Sequence, residues 1–130
     1  MTAHLGSCHC GAVKFRVEAD FKELRTCGCS LCRKRNALMV GAPVEALTVL
    51  EGEDRLTLYQ WNARIARHHF CSVCGIYIYN RRRSAPDMVS INVQCLDDFN
   101  TTGLPVVAAG GEAFTVVAES PRDGWMGPRA

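Results

Sequence analysis

The spacing of eight cysteines in 130 residues constrains this chain more than any other feature. Cys8 and Cys10 form C-x-C. Cys27, Cys29 and Cys32 form C-x-C-x-x-C. Cys71 and Cys74 form C-x-x-C followed by Gly75, and Cys95 stands alone. An even count suggests disulfides in a secreted chain. Here the stretch Met1 to Ser7 has no apolar core or cleavage pattern, so a cytoplasmic location is expected. A chain of this length also buries a core without needing cross-links. Cysteines clustered this tightly converge on one metal more readily than they make well-shaped separate bridges. In a reducing compartment, zinc is the metal that such sulfur-rich sets favour.

The clusters sort into two sets. Cys71-Ser72-Val73-Cys74-Gly75 reads as a zinc knuckle, with the glycine letting the backbone turn toward the sulfurs. It offers two ligands, and Cys8 and Cys10 offer two more, which together make a closed four-thiolate site. Cys27, Cys29 and Cys32 leave no second pair, and a three-ligand zinc keeps a position open for substrate. Two other readings of this trio stand beside it. One closes the site with Cys95, His68 or His69. The other takes Cys29-Ser30-Leu31-Cys32 as a redox dithiol, which leaves Cys27 without a role.

The rest of the chain predicts a mainly β fold with one or two short helical turns. Ala12 to Glu18 alternates apolar and polar residues as a half-buried strand does. Strands are also expected at Phe21 to Thr26, Ala37 to Val40 (ended by Pro43), Leu47 to Leu50, Leu56 to Trp61, Arg67 to Phe70, Ile76 to Tyr79 and Met88 to Val93, with a last short one at Thr115 to Val117. A polar turn is expected at Glu51 to Asp54, and Ser30 to Asn36 reads as a helical turn. Without linkers or repeats, residues 1–130 are expected to form a single zinc-binding domain, with its core at about 4–118. Hydrophobic residues at 48% and charged residues at 22% exclude a disordered tail. A net charge of +2 argues against a nucleic-acid partner held by bulk charge. No apolar run approaches the ~18 residues of a membrane helix, so no membrane partner is expected.

Four stretches resemble a known family in order: Gly6-Ser7-Cys8-His9-Cys10-Gly11-Ala12-Val13-Lys14-Phe15, Cys27-Gly28-Cys29-Ser30-Leu31-Cys32-Arg33-Lys34, Phe70-Cys71-Ser72-Val73-Cys74-Gly75 and Leu96-Asp97-Asp98. They look like the glutathione-dependent formaldehyde-activating enzymes, a family that also includes centromere protein V. The resemblance implies several coiled antiparallel sheets, a β-tent, built around zinc. It implies two zinc ions per chain: a structural one on Cys8, Cys10, Cys71 and Cys74, and a catalytic one on Cys27, Cys29 and Cys32. It also implies carbon–sulfur lyase chemistry on S-hydroxymethylglutathione, with glutathione as the small thiol and formaldehyde as the carbonyl. Gly28 stands where many members carry histidine, Cys95 stands where small residues are common, and the region after Thr101, with Ala108 to Ala113, is poor in the aromatics and histidines that some members carry.

The chemistry can be reached from the residues too. A thiol is mostly protonated near neutral pH, and an open zinc position lowers its pKa and leaves a nucleophile able to add to a carbonyl. Arg33, Lys34 and Arg35, or Arg81, Arg82 and Arg83, are candidates for holding a carboxylate-bearing thiol, with a solvated basic face as the plain alternative. His68 and His69 read as site neighbours or strand residues, and Asp97 and Asp98 as turn formers. The competing function is a non-catalytic zinc-stabilised binding module in which both metals are structural.

Overall fold

The computed structural model of the protein describes residues 2–60, 66–82 and 85–108. Among the described residues ten strands follow in chain order: β1 Ala3–Ser7, β2 Lys14–Glu18, β3 Leu24–Thr26, β4 Met39–Pro43, β5 Leu47–Glu51, β6 Leu56–Tyr59, β7 Arg67–Cys71, β8 Tyr77–Arg81, β9 Met88–Asn92 and β10 Val106–Ala108. The helix α1 is Ser30–Arg35, and 3₁₀ turns lie at Val44–Ala46, Glu53–Arg55 and Val93–Cys95. The strands make a three-stranded sheet, β1-β2-β5, and a seven-stranded sheet, β10-β3-β4-β9-β8-β7-β6. The fold is mainly β, as the patterning predicts. The pairings among the described residues are antiparallel except β10 with β3, where Leu24 lies opposite Val106.

Period-two burial explains β2. Phe15 and Val17 are buried while Lys14 and Glu18 face water. The strand begins at Lys14 rather than Ala12 because Cys8 N donates to Val13 O across the turn that carries the first cysteines. The expected strand at 37–40 lies further along, at Met39–Pro43, and Pro43 is its last residue rather than a break beyond it. A proline at a strand's end forfeits one ladder donor only. β1 and β10 were not expected from the sequence, and the strand expected at Thr115 to Val117 lies outside the described residues.

One apolar cluster takes side chains from both sheets. Val13, Phe15 and Val17 meet Val40, Ala42, Ile78, Val89, Ile91 and Val93 there, all buried. Burying a valine, isoleucine or phenylalanine contributes about 1.5–3 kcal/mol each. The β9 run Val89-Ser90-Ile91 is buried on consecutive residues, so both faces of this central strand are covered, and β4 and β8 pair with its two edges. Leu96 bridges to Gly6, and Asp97 N donates to Leu5 O, so the Leu96-Asp97-Asp98 stretch ties the end of β9 to β1.

Candidate metal centres

The first cysteine group forms where two turns meet. Cys8 and Cys10 follow β1, while Cys71 ends β7 and Cys74 sits in the turn to β8. That turn is closed by Gly75 N donating to Cys71 O at 2.8 Å and Cys71 N donating to Ile76 O at 2.9 Å. Gly75 has φ +78°, a left-handed conformation that glycine adopts without a Cβ penalty. The Sγ atoms of Cys8 and Cys10 are 3.6 Å apart, and those of Cys10 and Cys71 are 3.8 Å apart. Sulfurs about 2.3 Å from a tetrahedral zinc lie about 3.8 Å from each other, so the spacing fits. Val13 N points at Cys8 Sγ at 3.3 Å, and Val73 N at Cys71 Sγ at 3.3 Å. Such N–H contacts stabilise thiolates without adding a ligand.

The second group hangs on the start of α1. Cys27 follows β3, Cys29 is the N-cap of α1, and Cys32 lies inside its first turn. The Cys29 sulfur accepts from Cys32 N at 3.3 Å, and Cys27 Sγ accepts from Cys29 N at 3.4 Å. The three sulfurs converge within 4.8 Å of one another. Contact with the Cys27 and Cys32 side chains holds the Cys29 thiol far below its usual range, and contact with the Cys27 and Cys29 side chains pushes the Cys32 thiol up. A cation held between the three sulfurs would let them carry negative charge together. Both groups can hold a metal ion, and their all-sulfur donors are compatible with zinc.

Residues 3–114 match the model of the glutathione-dependent formaldehyde-activating enzyme family. The chain belongs to this family. A Halomonas elongata protein that carries the provisional name glutathione-dependent formaldehyde-activating enzyme is 32% identical over 104 residues, 71% of this chain and 64% of that protein. The chain thus spans just under two thirds of that curated relative's length. The crystal structure of a Rhodobacter sphaeroides protein matches with TM-score 0.73 and 42% identity, covering 79% of this chain and 99% of that one.

In this member of the family, the other candidates take separate places. Among the described residues, neither Cys95, His68 nor His69 joins a cysteine group. Cys95 is buried and its Sγ lies 3.6 Å from Tyr77 O. Burial, then the charges of Cys8 and Cys74, pushes its thiol up to about 11, so it feels the first group rather than the second. His69 stacks on Tyr79 with centroids 4.6 Å apart. His68 is buried, with Asn80 opposite it on β8 and Ser90 opposite Asn80 on β9, so the three make one polar row across three strands. Arg82 Nε donates to Ser90 Oγ at 2.8 Å and Arg81 Nε to Pro86 O at 2.6 Å, while Arg83 lies outside the described residues. Asp97 and Asp98 are exposed. Arg33 and Lys34 face water, but Arg35 turns inward to Cys32, His68 and Tyr77. Tyr77 was not singled out from the sequence. The i, i+3 spacing of Cys32 and Arg35 on one helix face was the available signal for Arg35.

Proposed function

We propose that the protein is a zinc-dependent carbon–sulfur lyase-like enzyme acting on a small thiol, glutathione or a close analogue, and a carbonyl such as formaldehyde. The observation that carries this reading is the inequality of the two groups: four sulfurs converge in one and three in the other. Cys8, Cys10, Cys71 and Cys74 are assigned a structural zinc, and Cys27, Cys29 and Cys32 a catalytic one, two per chain. The reading places the protein in the cytoplasm as one domain over residues 1–130, with no nucleic-acid partner.

Zinc bound by the trio would supply a Lewis-acid position that favours the thiolate form of an incoming thiol. The chain's own residues prepare that position. The Cys29 and Cys32 backbone N–H groups and Arg35 Nη2 stabilise negative charge on the three sulfurs. Cys29 is buried and anchors the group, while Cys27 and Cys32 are partly open to solvent. In the reaction, a sulfur–carbon bond forms at the carbonyl carbon and the thiol proton ends on the carbonyl oxygen. The C=O π bond opens as the sulfur adds, the product is a thiohemiacetal, the S-hydroxymethyl thiol adduct, and the reverse breaks the sulfur–carbon bond and restores the carbonyl.

The test is exchange of carbon-13 formaldehyde between its hydrate and the glutathione adduct, followed by NMR. The zinc-loaded protein should accelerate exchange over buffer, and Cys29→Ser should remove the acceleration. A wild-type protein that holds two zinc ions and leaves exchange at the buffer rate, with no binding of glutathione, would favour the non-catalytic module.

A further inference from the structure

Arg35 sits where a cation has no carboxylate to answer it. The ion pairs among the described residues are Lys14–Glu51, Arg16–Glu18 and Arg25–Glu23. Arg35 instead places Nη2 3.2 Å from Cys32 Sγ and Nη1 3.2 Å from His68 Nδ1. Its guanidinium carbon lies 3.6 Å from the centroid of the Tyr77 ring, stacked against its face. Arginine only donates, so His68 Nδ1 accepts, which fixes the neutral ring with its proton on Nε2.

The cradle around this guanidinium is built from distant strands. Asn80 Nδ2, on the same strand β8, donates to Tyr77 Oη at 2.6 Å and holds the ring, while Asn92 Nδ2 from β9 donates to the Tyr77 backbone O at 2.9 Å and holds the strand beneath it. Within this cradle Arg35 Nε is buried with no hydrogen-bond partner. A buried unsatisfied donor costs about 1–3 kcal/mol. A side chain serving only to pack would not retain that cost. The guanidinium is therefore held for what its outer nitrogens reach, and the atom among these that becomes anionic once a metal binds is the Cys32 sulfur.

We propose that Arg35 is a positioning residue for the second cysteine group: it fixes the Cys32 sulfur and offsets one negative charge there, so that the group accepts a further anionic sulfur from solution. The inference rests on the reading of that group as an open metal site. Three thiolates on a dication carry one excess negative charge, and a fourth makes two. Arg35 opposes the second. Its influence is therefore greatest when an outside thiol is bound. Arg33 and Lys34, exposed on the same short helix, do not share the role.

The experiment loads the full-length protein with cobalt(II), titrates it with 2-mercaptoethanol and follows the sulfur-to-cobalt charge-transfer bands. In Arg35→Gln the bands of the second group should move to lower energy, and thiol affinity should fall about 10–100-fold, the usual range for losing a group that supports a metal ligand. Arg35→Lys, which keeps the charge without the planar fork, should recover most of the affinity. An Arg35→Gln protein with bands and affinity within twofold of wild type overturns the proposal. If Arg35→Gln does not load its second metal, Arg35→Lys decides. Near-wild-type affinity in a folded Lys variant supports the charge role, and a folded Lys variant as defective as Gln overturns it. A wild type that takes one metal only overturns the open-site reading itself, and this inference with it.

Discussion

Gly75 and Gly52 share a backbone conformation but not surroundings, and that difference separates two costs. Gly75 has φ +78° and Gly52 φ +81°. At Gly75 a Cβ meets nothing within 4 Å. Gly75→Ala therefore bears only the left-handed penalty of an L-residue, about 1–2 kcal/mol. At Gly52 a Cβ runs into the Ala12 carbonyl, with Val13 Cα only 3.0 Å away. Overpacking adds about 1–3 kcal/mol, so Gly52→Ala should cost about 2–5 kcal/mol in all. It also pushes on the residue before Val13, whose N–H reaches Cys8 Sγ. Urea denaturation of the zinc-loaded variants measures both costs, and chelator competition reads the first metal. Gly75→Ala should lose stability with near-wild-type zinc binding, and Gly52→Ala should lose more stability and also zinc affinity. Equal losses in the two variants, or none at Gly75, would show that the left-handed backbone and the Ala12 carbonyl do not set these costs.

Cys71→Ser should unfold the protein near body temperature, because a structural zinc contributes on the order of 10 kcal/mol against a typical total of about 5–15 kcal/mol. Cys29→Ser should keep the circular dichroism of the fold and bind one zinc fewer. Cys95→Ala should leave the zinc count unchanged and cost about 1 kcal/mol, measured by metal analysis and denaturation. Burial, then the Arg35 cation, lowers the His68 pKa from 6.5 to about 4, while His69 and Tyr77 also border the ring. The unfolded state then binds the proton first as pH falls. The stability is complete above pH 6.5 and is lost between about 6.5 and 4, by roughly 3 kcal/mol at most. His68→Gln in zinc-saturated protein should flatten this limb of the stability curve, and an unchanged limb would count against it.

The cysteine groups were legible because each contributes ligands two or three residues apart, and such spacing needs no knowledge of the fold. The joining of Cys8 and Cys10 with Cys71 and Cys74 was a matter of counting, and the structure brings those four sulfurs together. The Arg35 cradle was not legible. Its parts come from α1, β7, β8 and β9, and register between those strands decides that His68, Asn80 and Ser90 share a row. β10 was missed because its three residues are all exposed and carry no alternation. Strand boundaries slipped where turn hydrogen bonds compete with the ladder, as at Val13.

On this reading the two groups hold metal differently, one closed and one open. Cadmium-113 NMR of the fully loaded protein tests it directly, because the shift reports how many sulfurs surround each ion. Two resonances are expected, one typical of four thiolates and one displaced toward fewer, with glutathione moving only the second to the four-thiolate range. Two four-thiolate resonances that ignore glutathione, or a single resonance at full loading, would contradict it.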